Sequence, residues 1–139
     1  MEFTASPVGY VHSDCKQMCE VPLNGKDDIL GGVIEILPQF SECILGLEKV
    51  KYIWVFSFLH LADRSIQQVQ PVHRRHLHPR GVFATCSPVR PNPIGKSFME
   101  IQKIDGLKIY VKGLDLVDGT PILDIKLYDE GSDQPNGLC

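Results

Sequence analysis

Three prolines, Pro88, Pro91 and Pro93, stand within six residues of one another in a chain of 139. Each fixes its φ and removes a backbone donor, so neither a helix nor a central strand can run through this stretch. The segment Thr85-Cys86-Ser87-Pro88-Val89-Arg90-Pro91-Asn92-Pro93-Ile94-Gly95 is therefore a stiff connection, and the elements around it must be short. Arg90 and Asn92 lie between the prolines. Such bracing holds a guanidinium and an amide at low entropic cost, which suits an anion or a nucleotide. A rigid corner that only joins two strands is the plain alternative.

The flanking pattern reads as short strands. Pro7–Ser13, Ile29–Ile36, Lys51–Leu59, Gly81–Thr85 and Ile122–Leu127 are apolar and β-branched. Lys51–Leu59 is nearly continuous in apolar character and predicts a central, buried strand. Ser97–Ile104 and Leu107–Leu114 predict a hairpin turning at Asp105-Gly106. Phe40, Ile44 and Leu47 have helical spacing and predict one short helix over Gln39–Leu47. Asp63–Arg80 is polar and aperiodic and reads as a long loop. The whole pattern predicts a mainly β fold, a small single-domain β-barrel with little helix. Its core runs over about residues 7–128, and a polar tail over 129–139 is expected to fray.

The net charge of −3 hides an asymmetry. No acid occurs between Asp63 and Glu100, whereas Arg64, Arg74, Arg75, Arg80, Arg90 and Lys96 give that interval +6 and leave −9 on the rest. His73, His76 and His78 add charge there at lower pH. This is either a docking surface for a polyanion or a solvated loop. A second cluster places Asp115, Asp118 and Asp124 in an otherwise apolar stretch, where carboxylates can accept from a ribose diol or an amine. Asp118-Gly119 reads equally well as a tight turn.

Several classes are excluded. No apolar run approaches the roughly 20 residues of a membrane span. Neither a G-x-G-x-x-G nor a P-loop nor a G-x-S-x-G motif occurs, which argues against Rossmann, P-loop and α/β-hydrolase chemistry. Five cysteines, Cys15, Cys19, Cys43, Cys86 and Cys139, form an odd set without a signal sequence, so a reducing, cytoplasmic compartment is expected. Cys15 and Cys19 have no matching second pair, and the histidines do not repeat a familiar ligand spacing, so no metal is expected.

Cys86-Ser87-Pro88-Val89-Arg90-Pro91-Asn92-Pro93-Ile94-Gly95, followed by Leu114-Asp115-Leu116-Val117-Asp118-Gly119-Thr120-Pro121 and Leu123-Asp124-Ile125-Lys126, closely resembles the TsaA-like family of TrmO-type tRNA methyltransferases. Pro7-Val8-Gly9-Tyr10-Val11, Leu45-Gly46-Leu47-Glu48 and Trp54 extend the likeness over nearly the whole chain. The resemblance implies a small non-Rossmann β-barrel that pairs as a homodimer. It implies S-adenosylmethionine as cofactor and N6-methylation of threonylcarbamoyl-adenosine beside the tRNA anticodon. Matched by position, the implied cofactor contacts are Asn24, Gly25, His60, Leu61, Cys86, Phe98, Asp115, Leu116, Val117 and Asp118. Arg74, Arg75, Arg80, Arg90, Asn92 and Lys96 would meet tRNA. The poorly nucleophilic N6 needs a base, for which Asp115, Asp118 and His60 are candidates.

The sequence departs from the family in three places. Cys86 stands where the family usually has Arg. Pro22-Leu23-Asn24-Gly25 replaces a Pro-Arg-Gln-Gly turn. The further C-terminal domain of many bacterial members is not in this sequence. Methylation of another small molecule or RNA, or a non-enzymatic cofactor- or RNA-binding module, are the alternative expectations.

Overall fold

The computed structural model describes residues 1–13, 31–70 and 78–134. Its strands are β1 (Gly9–His12), β2 (Gly31–Ile36), β3 (Tyr52–Phe58), β4 (Gln68–Val69), β5 (Arg80–Gly81), β6 (Ile94–Asp105), β7 (Lys108–Lys112) and β8 (Pro121–Leu127). Six of them close into a barrel in the order β1-β2-β7-β6-β3-β8, every neighbouring pair antiparallel. Closure leaves this six-stranded sheet without an edge. The expected class, a small mainly β barrel with little helix, is the fold observed.

Alternation along the strands makes the core. In β3 the residues Ile53, Val55 and Ser57 point inward and are fully buried, while Tyr52, Trp54, Phe56 and Phe58 face outward. Val11, Ile34, Ile36, Met99, Ile109, Val111 and Ile122 complete the interior. Burying each such aliphatic side chain contributes about 1.5–3 kcal/mol against chain entropy.

The hairpin lies one residue on from its expected place. Asp105 pairs with Lys108, so Gly106 and Leu107 form the loop, and β7 ends at Lys112. The register of β6 shifts between Ile101 and Lys103, which makes Gln102 the extra residue of a bulge. A second irregularity lies opposite Phe56 and Ser57 in β8.

Two expected elements are corrected. The helix over Gln39–Leu47 is instead two 3-10 stretches, Pro38–Ile44 and Leu47–Lys49, the first interrupted at Phe40. Phe40, Ile44 and Leu47 still pack against the core, so the apolar spacing was real. Pro38 starts the segment and tight i→i+3 bonds such as Leu45 N to Glu42 O replace α-helical ones. The strand over Gly81–Thr85 is only the two-residue β5, paired with β4, followed by a 3-10 turn at Val82–Ala84. That turn wins because the Thr85 hydroxyl and N–H both donate to the Val82 carbonyl. The tail carries one helical turn, Glu130–Asp133 (α1), which Asp129 caps by accepting from Gly131 N and Ser132 Oγ. Residues 135–139 lie outside the described part.

Among the described residues no helix is long and apolar enough to cross a membrane.

Candidate functional site

Two loops build the site, both rooted in the barrel. The first is the proline segment. Its end is tied to β3 by Leu59 N donating to the Pro93 carbonyl at 2.8 Å, with Pro93 itself buried. Arg90 Nη1 donates to the carbonyls of Thr85 and Ser87, both at 3.1 Å. Arg64 reaches the same segment from the loop after β3, donating Nε to Pro91 O at 2.9 Å and Nη2 to Asn92 Oδ1 at 3.4 Å. The arginine and asparagine read as anion contacts thus also brace the loop. Arg90 keeps its positive charge while its Nη1 holds backbone, and Asn92 accepts from Arg64. Asp63, next to Arg64, keeps its carboxyl below the usual range because Ser65 donates both its hydroxyl and its N–H to it.

The second loop runs from Gly113 to Thr120. Leu114, Leu116 and Val117 are buried and anchor it. Gly119 N donates to Val11 O, and Val11 N to Thr120 O, fastening the loop to β1. The Thr120 hydroxyl and N–H both donate to Val117 O, and Gly119 has a left-handed φ of +83°. Asp118-Gly119 is therefore a true turn, and a side chain at position 119 would strain it. The turn also aims a carboxylate, since Asp118 Oδ1 accepts from Ser13 N at 2.9 Å. Asp115 turns the other way and accepts a 2.6 Å bond from Ser97 Oγ on β6. The aspartates read as one cluster thus diverge, one toward the barrel interior and one toward the end of β1. Asp124 lies apart on the outer face of β8 beside Lys126.

Asp118 lines a cleft of about 530 Å³ with His12, Ser13, Gly32, Gln102 and Tyr110. The β6 bulge puts Gln102 in this wall. His12 Nε2 lies 2.7 Å from Glu35 Oε2 beside it.

The remaining candidates are scattered. His60 and Leu61 are exposed in the turn after β3, and among the described residues no hydrogen bond joins His60 to Asp115 or Asp118. Cys86 is a free, exposed thiol within the proline segment. Phe98 lies on the opposite face of β6 from Ser97, stacked on Tyr52 with ring centroids 5.3 Å apart. Lys96 shares that outer face, its Nζ 4.7 Å from the Trp54 ring centroid. Arg80 is exposed on β5 and His78 just before it. Asn24, Gly25, Arg74, Arg75, His73, His76, Cys15 and Cys19 lie outside the described residues.

Ser97, Ser13, His12 and Gln102 escaped the motif reading. Ser97 left a trace, as a polar residue at an inward position of an apolar strand. Ser57 is another, and its fully buried hydroxyl has no partner among the described residues.

Fold and site together define a small closed barrel of non-Rossmann type, with a proline-braced cationic loop and a carboxylate loop both anchored in its wall. The chain belongs to the TrmO N-terminal domain family: the tRNA-methyltransferase O N-terminal domain matches residues 10–134. It is 39% identical over 133 residues to a Methanothermobacter thermautotrophicus protein named "Probable S-adenosyl-L-methionine-binding protein", covering 96% of this chain and 95% of that one. It is 38% identical over 103 residues to a tRNA (adenine(37)-N6)-methyltransferase of Mus musculus, covering 73% of this chain and 23% of that one. A crystal structure of TrmO from Pseudomonas aeruginosa superposes with a TM-score of 0.80 at 32% identity, over 100% of this chain and 62% of that one. The chain therefore spans nearly all of the archaeal relative and less than two thirds of the other two.

Proposed function

We propose that the chain is an S-adenosylmethionine-dependent methyltransferase that N6-methylates threonylcarbamoyl-adenosine next to the tRNA anticodon. The observation that carries this reading is the family match together with the loop Asp115–Asp118. Its two carboxylates are held by hydrogen bonds to Ser97 and Ser13 on a buried apolar footing. That donor set fits the cofactor. Carboxylates accept from ribose hydroxyls and from an ammonium, and the buried Leu116 and Val117 fix the loop that carries them. Asp115, Leu116, Val117 and Asp118 would hold it, with His60, Leu61, Cys86, Phe98 and the Asn24-Gly25 turn as the further contacts the family likeness assigns. When bound, S-adenosylmethionine supplies a methyl group on a sulfonium centre.

The chain's own task is to orient the acceptor nitrogen and remove its proton, and positioning of this kind is worth several powers of ten in rate. Asp118, Asp115 and His60 remain the candidate bases, and of these Asp118 lines the cleft. Arg80, Arg90 and Asn92, with Arg74 and Arg75, supply the tRNA-facing surface, whereas Lys96 lies on the outer barrel face over Trp54. The test is incubation of the purified chain with labelled cofactor and threonylcarbamoylated tRNA, followed by nucleoside analysis for the N6-methyl product. A second reading, methylation of another RNA or small molecule, is favoured by the exposed Cys86 where the family usually has Arg. Gain of tRNA methylation by Cys86→Arg would support it.

The chain acts as a homodimer in this proposal. The outer face of β3, β6 and β8 supports that. It carries Tyr52, Trp54, Phe98 and Tyr128 as a connected ring cluster, with Phe98 44% exposed. Lys96, Lys126, Asp124 and Glu100 give the face balanced charge, which a two-fold pairing can satisfy with itself.

A further inference from the structure

Phe83 is 89% exposed, whereas its neighbour Val82 is 3% exposed. The ring is not on a loose strand of chain. Val82 N donates to Gln67 O at 2.9 Å, Thr85 N and Oγ1 both return to Val82 O, and Arg90 holds Thr85 O from behind. The 3-10 turn Val82–Ala84 thus holds an aromatic ring out into solvent on a fixed base.

The sequence on either side of that ring is cationic. Arg80 precedes it on β5, and Arg64 and Arg90 are bound into the same loop system. No acid occurs from residue 64 to residue 99. Among the described residues, none of these three arginines is ion-paired with a carboxylate. An apolar protein partner would be met by an apolar rim, and none surrounds Phe83 in sequence. The outer barrel face, with its mixed charges, differs in just this respect. A ring on a one-sign cationic loop complements a ligand that joins a flat apolar face to an anion, which is an unpaired nucleobase on its phosphate backbone.

We propose that Phe83 is a stacking platform for an unpaired base of single-stranded RNA, with Arg80 neutralising an adjacent phosphate. This deepens the proposed function and rests on the reading that the substrate is RNA. Stacking of this kind tolerates any base, so the platform grips the loop while other residues choose the nucleotide.

The test uses the whole chain and fluorescence anisotropy with two probes, an RNA hairpin carrying an unpaired loop and a fully paired RNA duplex. Because Phe83 is exposed, Phe83→Ala is expected to keep its melting temperature and its affinity for S-adenosylmethionine. It should bind the hairpin about tenfold more weakly, with duplex binding and the salt slope unchanged. Phe83→Tyr should bind as the parent does. Arg80→Ala should weaken both probes and reduce the salt slope by about one. Parental hairpin affinity in Phe83→Ala, or equal losses on hairpin and duplex, overturns the platform. If the parent binds the hairpin through Phe83 but methylates no tRNA, the enzymatic reading fails and the platform stands. If the parent binds neither probe at low salt, both fall.

Discussion

At the scale of single residues, the site depends on small side chains set where larger ones would be expected. A Cβ at Gly95 would lie 2.5 Å from Ser57 Oγ and 3.1 Å from Leu59 Cδ2. The proline motif therefore ends in a glycine because β3 and β6 need that space, not because the turn needs freedom. Gly95→Ala is expected to destabilise by about 1–3 kcal/mol through overpacking. Adding Ser57→Ala should recover part of the loss, since it removes the nearest atom, and a double-mutant cycle in urea measures the coupling. The Ser97–Asp115 bond gives a second expectation. Its loss in Ser97→Ala removes a charge-assisted contact and should cost about 2 kcal/mol of stability. The same variant should bind S-adenosylmethionine more weakly in calorimetry if Asp115 holds the cofactor. Unchanged affinity would remove Asp115 from the site.

At the scale of elements, the two loops differ in how much of them could be read from residue types. The proline segment was legible because proline acts locally, whatever surrounds it. Its braces were not, because Arg64 and Arg90 find their carbonyl partners only once the chain has returned. The barrel strands were legible from their apolar, β-branched runs; β3 read as continuously apolar and buried, and only barrel closure divides it into a buried face and a half-exposed aromatic one. The segment at Phe40–Leu47 misled because an apolar spacing of four and three suits a 3-10 turn against a core as well as an α-helix. The divergence of Asp115 from Asp118 was invisible for a similar reason, as it depends on Ser97 and Ser13, distant in sequence. The bracing predicts that Arg90→Ala leaves the barrel folded but loosens residues 82–93. Hydrogen exchange should show faster opening there than in β3, and uniform exchange across both would contradict the assigned brace.

At the scale of the whole molecule, the division of charge organises the surfaces. The net −3 first suggests a chain with no case for a polyanion. Among the described residues Arg64, Arg80 and Arg90 of the cationic interval lie on segments joined by hydrogen bonds, while the outer face of β3, β6 and β8 carries mixed charge. The first suits RNA and the second suits another copy of the chain. Phe98→Glu, on the outer face of β6, is expected to convert a dimer to a monomer in sedimentation while the chain stays folded. A parent that sediments as a monomer at micromolar concentration would contradict the pairing.

The proposed activity is methyl transfer to the N6 of threonylcarbamoyl-adenosine in tRNA, carried by the Asp115–Asp118 loop. Mass spectrometry of nucleosides from threonylcarbamoylated tRNA, after incubation with the purified chain and S-adenosylmethionine, tests it most directly. The N6-methylated nucleoside is expected with the parent chain and its loss with Asp118→Asn in a folded protein. Cofactor binding without any methylated nucleoside from the parent chain would contradict it.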